Sequence, residues 1–360
     1  MDHFCVLPFY GRELSYCNKD THCCQLPLEY DVKSIQQAIF EGRRAPECQK
    51  CWNLEDQGLV SDRILKNQAL DFYWNKDIEQ IKKEVLEESW QEDKILMLKL
   101  LTSFTCNATC IMCNEKASSS WNALTRNTDR IIPIQSYKSV DIDRVKSMVN
   151  FKELKTLILI GGEPLYEKRN FELLEYILEL GNNDLFLSFT TNGSVLLNKK
   201  QKETLSKFKN VNFCLSMDGV GPMFEYQRFP LEWQLFKSNF KFFQEITDNI
   251  SASYTITNVN VWEHQETVAW FNKHAVPYIT NPVYGPAWFQ PRSLPVELKK
   301  ELKTMLNSAD YNLFIGDNHS SNDDNNFKIA LKELDRQDNL KKIQLKDYAP
   351  KVAERFNLYR

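Results

Sequence analysis

From Lys94 to Tyr284 the chain alternates apolar runs of strand length with stretches of helical periodicity, and each run breaks at a glycine or a small polar residue. Such alternation predicts βα units and a parallel sheet. About six units can be counted. Their strands are expected at Lys94–Thr102, Leu154–Ile160, Leu185–Thr190, Val211–Leu215, Ser251–Asn258 and Pro277–Tyr284, with a helix around Phe171–Leu180 after the second. At 360 residues and 42% hydrophobic composition the chain is long and apolar enough for a full barrel plus a smaller domain, which excludes a disordered protein.

The loop after the first strand reads Thr105-Cys-Asn-Ala-Thr-Cys-Ile-Met-Cys-Asn114, so Cys106, Cys110 and Cys113 stand together without a fourth ligand nearby. A closed structural zinc site or an electron-transfer cluster takes four thiolates, whereas three leave a position where something else can bind. Three close cysteines are also compatible with chance or with half of a zinc knuckle. The tips of the next strands carry Gly161-Gly162-Glu163-Pro164, Thr191-Asn192-Gly193 and Ser216-Met217-Asp218-Gly219. Glycines at a strand end admit close backbone approach, and a neighbouring carboxylate can accept from an ammonium group. Ordinary βα turns also select these residue types.

The CxxxCxxC spacing followed by GGEP resembles the radical S-adenosylmethionine (SAM) superfamily. The resemblance spans roughly residues 3–290. It implies a partial (β/α)6 TIM-like barrel in which Cys106, Cys110 and Cys113 hold a 4Fe-4S cluster and SAM chelates its open iron. By the same resemblance SAM is bound by Met112, Gly161, Gly162, Glu163, Pro164, Thr191, Asn192, Ser216, Asp218 and Arg228. Glu163 would meet its ammonium group and Arg228 its carboxylate. The implied reaction is reductive cleavage of SAM to a 5'-deoxyadenosyl radical that takes hydrogen from a substrate. The electron would come from a donor such as flavodoxin or ferredoxin.

Six of the ten cysteines precede the first of these strands: Cys5, Cys17, Cys23, Cys24, Cys48 and Cys51. That region shows no comparable βα repeat and reads as a small domain stapled by metal. Its order is Cys5 with Pro8, a paired cysteine, a helix-like stretch from Val32 to Glu41, then CxxC and Trp52. This resembles the twitch domain, the shortened SPASM domain, which implies an auxiliary 4Fe-4S cluster on Cys5, Cys23, Cys48 and Cys51, with Cys24 as the alternate to Cys23. Asn18 stands near a glycine expected in that family, and Cys17 has no assigned role. A four-thiolate zinc site would use the same spacing.

The expected organisation is therefore a twitch-like domain over 1–75, a linker helix over 76–93, the barrel over 94–292 and a helical extension over 293–360. Within the extension, helices are expected at Leu294–Met305 and Lys328–Leu340, separated by a polar loop from Gly316 to Asn326. Cys214, in an apolar run, reads as a small buried hydrophobe. Tyr284 and Trp288, in a proline- and aromatic-rich segment, are candidates to face the adenine or a substrate.

A net charge of −3 gives no general attraction to nucleic acid or anionic lipid. With no segment of signal-peptide type or membrane-spanning length, a reducing cytoplasm is the expected location. Twitch and SPASM relatives often modify peptides or proteins, and such a substrate ranks before a small metabolite. A non-catalytic iron-sulfur or zinc binding module and an activating enzyme for a glycyl-radical partner are the competing classes.

Overall fold

The computed structural model describes residues 3–17, 19–27, 29–56, 58, 60–70, 74, 78–87, 94–126, 128, 139–283 and 285–360. Tyr284, Asn18, 88–93 and 129–138 lie outside these, and with them the expectations for Tyr284, for Asn18 and for the end of the linker helix. The chain is α/β and divides into two units. The first comprises Met1–Phe104, Gln135–Thr190 and Leu197–Asn212; the second comprises Thr105–Ile134, Thr191–Leu196 and Phe213–Arg360.

In the first unit the strands run in the order β2 (Asp20–Thr21), β1 (Gly11–Ser15), β3 (Met97–Leu101), β4 (Thr156–Ile160) and β5 (Phe186–Thr191, left after Thr190). All neighbours are parallel except the β1–β2 hairpin, which Ser15 N closes by donating to Lys19 O at 3.0 Å. In β3 and β4 nearly every residue is apolar, as expected of strands covered on both faces. The helix Lys168–Glu179 follows β4 and buries Phe171, Leu173, Leu174 and Ile177 at helical spacing. The expected first and second sequence strands are thus β3 and β4.

The N-terminal segment differs from expectation. β1 lies parallel to β3, with Glu13 opposite Lys99. Charge pairing holds this short polar strand in place: Glu13 is 4% exposed and bonds Lys19 Nζ at 3.0 Å and Lys99 Nζ at 3.1 Å. Around it, Phe4, Val6, Phe9, Tyr10, Ile35, Ile39, Leu70 and Trp74 build a continuous apolar core that also takes in Ile81 and Val85 of the helix Ile78–Leu86. Burial of this size is a substantial stabilising term in its own right.

In the second unit β6 (Asn210–Ser216, entered at Phe213), β7 (Ile250–Ile256) and β8 (Tyr278–Pro282) are parallel neighbours. Cys214 on β6 is half-buried rather than buried. The helices Trp233–Ile246 and His264–Lys273 lie in the β6–β7 and β7–β8 connections. Beyond β8 come the helices Val296–Met305, Ser308–Phe314, Ser321–Lys341, Leu345–Tyr348 and Pro350–Asn357. The stretch expected as a polar loop to Asn326 is helical from Ser321. The Ser320 side chain accepts from Asp323 N, and the Asp323 side chain accepts from Ser320 N, a capping box that satisfies the first free donors.

Candidate metal and cofactor sites

The cysteine loop is pinned within the second unit from three sides. Ser118 Oγ donates to Ala108 O at 2.6 Å, Ser120 Oγ to Cys106 O at 2.8 Å, and Trp121 Nε1 to Cys110 O at 2.9 Å. Ser118 also caps the helix Ser119–Thr125 by accepting from Trp121 N. On a second side, the end of the helix Gly221–Gln227 receives two loop amides: Ile111 N donates to Gln227 O at 2.9 Å and Thr109 N to Phe229 O at 2.6 Å. The third support is the helix Ser321–Lys341, whose Gln337 Nε2 donates to Ile111 O at 3.0 Å.

This scaffold brings the three thiols into electrostatic reach of one another. Cys113 and Cys110 share a hydrogen bond, and Cys106 acts on Cys113. That bond, together with the Arg228 guanidinium whose Nη1 lies 3.8 Å from Cys110 Sγ, lowers the Cys110 thiol to about 7 despite its burial. The same bond and burial raise Cys113. The guanidinium thus favours the thiolate of Cys110, the form that binds metal.

Arg228 and Asp218 are 10% and 0% exposed and meet at 2.6 Å. Burial pushes the Asp218 carboxyl up, with Arg228 opposing. Burial works against the charge on Arg228 too, but Asp218 and the thiols of Cys110 and Cys113 more than offset it. Thus the arginine expected to meet a ligand carboxylate is already paired inside the protein.

Asn192 Nδ2 donates to Asn107 Oδ1 at 2.9 Å and lies 3.9 Å from Cys106 Sγ, and Asn192 Oδ1 accepts from Ser194 N at 2.9 Å. Thr191 Oγ1 accepts from Gly193 N. Both therefore shape the turn beside the cysteine loop. Met112 is half-buried, as is Ser216 at the end of β6.

A polar network at the end of β7 was not read from the sequence. Asn260 Nδ2 donates to Asp218 O at 2.9 Å, Gln227 Nε2 donates to Thr257 Oγ1 at 3.1 Å, and Thr257 N donates to Asn260 Oδ1 at 2.7 Å. Two buried acceptors in it, Gln227 Oε1 and Asn258 Oδ1, have no partner among the described residues. Unpaired buried acceptors are costly, and a ligand with hydrogen-bond donors would satisfy them. The available signal was the Thr257-Asn258 pair after a strand, the same types as Thr191-Asn192. Trp288 is half-buried, and its backbone oxygen accepts from Asn258 Nδ2 at 2.8 Å.

In the first unit, the Gly161–Pro164 turn is built against Ser103. Gly161 has φ +135°, and a Cβ there would lie 2.5 Å from Ser103 O, while Gly162 N donates to that same oxygen at 3.0 Å. Only glycine fits this approach. Glu163 is buried, with Oε1 accepting from Leu165 N at 3.2 Å, and Pro164 O accepts from Asn170 Nδ2 at 2.8 Å.

The N-terminal thiols also converge in the first unit. Cys48 and Cys51 act on Cys5, and Cys5 acts on Cys23. Burial, with these neighbours adding, raises Cys5 strongly and Cys48 to about 12. Cys23 hydrogen-bonds Cys24, which lowers Cys24 to about 7 against its burial. Cys24 faces a different set: Lys99, Glu13 and Asp62, with Asp62 Oδ2 3.7 Å from its sulfur. Cys17 is exposed and bonds Ser15 Oγ at 3.0 Å in the β1–β2 hairpin.

Among the described residues, no three or more His, Cys, Asp or Glu side chains are arranged as ligands of one metal ion. The donor chemistry of both thiol groups fits an iron-sulfur cluster, in which each thiolate bonds a different iron. No helix among the described residues is long and apolar enough to cross a membrane.

No protein-family model and no curated protein matches the chain. Solved structures do. Native anSMEcpe with bound AdoMet is 19% identical, with a TM-score of 0.43 over 62% of this chain and 63% of that one, so the chain spans less than two thirds of its length. Streptococcus suis SuiB bound to precursor peptide SuiA is 16% identical, with a TM-score of 0.41 over 85% of this chain and 69% of that one. SuiB bound to S-adenosylmethionine is 16% identical, with a TM-score of 0.39 over 79% and 64%. The proteins in these structures are radical SAM enzymes.

Proposed function

We propose that the chain is a radical SAM enzyme acting by hydrogen-atom abstraction, with a peptide or protein as substrate. The observation that carries this reading is the loop of three thiols, held by two helices and a serine cluster, with the buried Arg228 guanidinium 3.8 Å from Cys110 Sγ. Cys106, Cys110 and Cys113 would hold a 4Fe-4S cluster. Such a cluster with SAM bound supplies one-electron cleavage of the sulfonium to a 5'-deoxyadenosyl radical.

This chain's own residues do the rest. Arg228 favours the thiolate form of Cys110, and Asp218 keeps that cation in place. Gln227 Oε1 and Asn258 Oδ1 offer acceptors to the donors of a bound nucleoside. Gly161 and Gly162 keep the GGEP turn free of side-chain bulk, and by the motif this turn is assigned to the methionine end of SAM. Substrate confinement is the remaining task, because a carbon radical must be kept from water and stray groups.

We assign an auxiliary 4Fe-4S cluster to Cys5, Cys23, Cys48 and Cys51. Cys5 is near Cys23, Cys48 and Cys51, whereas the groups around Cys24 besides Cys23 are Lys99, Asp62 and Glu13, and this supports Cys23 over Cys24. The cysteine order like that of twitch domains supports a peptide or protein substrate.

The test is iron, sulfide and zinc per chain after anaerobic reconstitution, for the natural chain and for Cys106/Cys110/Cys113→Ala. About eight irons falling to about four supports the reading with two clusters. About four irons and one zinc, with the iron lost in the variant, reduces the N-terminal thiols to a zinc site. Absence of iron from the natural chain refutes the proposal.

A further inference from the structure

The helix Ser321–Lys341 ends against the cysteine loop and brings a buried lysine with it. Lys341 is 7% exposed, and its Nζ donates to Gln337 Oε1 at 3.0 Å, the same glutamine that holds Ile111 O. The ammonium also lies 4.7 Å from the centre of the Trp121 ring, whose Nε1 is bonded to Cys110 O. Its partners are thus a neutral amide and a neutral ring, both tied to the loop.

The other charges nearby are already engaged. Arg228 is paired with Asp218, and Arg336 faces Glu333 at 2.5 Å. Asp338, which also acts on Lys341, accepts from Tyr226 Oη at 2.9 Å and from Leu345 N at 2.8 Å. Burying a cation on neutral partners is costly, and burial lowers Lys341 to about 8. The thiols of Cys110 and Cys113 are near enough to oppose that. A cation in the last turn of a helix is favoured by the helix dipole, but this requires no burial and no tie to the loop.

We propose that Lys341 is a positioning residue whose fixed charge raises the reduction potential of the cluster held by Cys106, Cys110 and Cys113. The inference rests on the reading of that loop given above. Reduction adds a negative charge to a group already bonded to three thiolates, and a nearby buried cation stabilises the more negative state.

The experiment uses the full chain, reconstituted anaerobically, as the natural sequence and as Lys341→Met, Lys341→Gln and Lys341→Arg. Iron per chain is counted, and the midpoint potential is read by redox titration of the electron paramagnetic resonance signal that Cys106/Cys110/Cys113→Ala lacks. The expected result is a lower potential in the methionine and glutamine variants, a potential near the natural one with arginine, and equal iron in all. An unchanged potential in both neutral variants overturns the proposal. So does an arginine variant as low as the neutral ones, or loss of iron from both neutral variants, which marks Lys341 as structural. A natural chain that takes up no iron overturns the underlying reading of the loop instead.

Discussion

Replacing Gly161 by alanine puts a methyl group where the fold leaves no room, and the cost can be worked from two separate terms. The first is conformational: at φ +135° an L-residue is strained by about 1–3 kcal/mol. The second is steric. The new Cβ would lie 2.5 Å from Ser103 O, so that carbonyl must withdraw, and it is the acceptor for Gly162 N at 3.0 Å. Weakening that hydrogen bond costs about 0.5–1.5 kcal/mol. Together they give about 2–4 kcal/mol, or a fall in Tm of roughly 5–15 °C for a domain of 150–250 residues. Gly181 is the control: its φ is +80°, but nothing lies within 4 Å of a Cβ there, so Gly181→Ala carries the strain term alone, about 1–2 kcal/mol. Thermal unfolding of both variants without added metal reads the difference. Equal losses of Tm would refute the steric argument and with it the account of why the GGEP turn needs glycine.

Two further outcomes follow from buried charge. Asp218→Asn leaves Arg228 buried without its carboxylate and is expected to cost about 3 kcal/mol by chemical denaturation, while adding Arg228→Met restores part of that; a double variant no more stable than the single one contradicts this. Burial, with Glu266 adding, pushes the Glu263 carboxyl up from 4.5 to about 7. The folded state then holds a proton that the unfolded state releases, so this stabilisation is complete below pH 4.5 and lost as pH rises through about 7. Glu263→Gln should gain about 1–3 kcal/mol over the natural chain between pH 5 and pH 8, allowing for partial solvent screening; parallel stability curves would count against it.

The legible parts of the fold are those whose signal is local. The strands β3 to β6 announce themselves by an apolar run and a glycine or small polar tip, β7 by alternation, and the helix Lys168–Glu179 by its periodic Phe171, Leu174 and Ile177. β1 was not legible because Gly11-Arg-Glu-Leu-Ser15 holds no apolar run, and the partners that make it a strand, Lys19 and Lys99, include one more than eighty residues away. The first turns of the helix from Ser321 were obscured by the Asn- and Asp-rich composition of 322–326, although Ser320 and Asp323 carry a capping pattern. At the site, Cys106, Cys110 and Cys113 were readable from spacing. Their supports were not, because Gln227, Gln337 and Lys341 reach the loop only through tertiary packing. The Arg228–Asp218 pair shows the same limit, since composition places both residues near a strand tip but not against each other.

The most direct test of the central claim is product formation from SAM by the anaerobically reconstituted chain with dithionite as reductant, analysed for 5'-deoxyadenosine and methionine. The account predicts both products in equal amounts from the natural chain and neither from Cys106/Cys110/Cys113→Ala. Iron bound at that loop with no 5'-deoxyadenosine formed would contradict it and leave a metal-binding module in place of an enzyme.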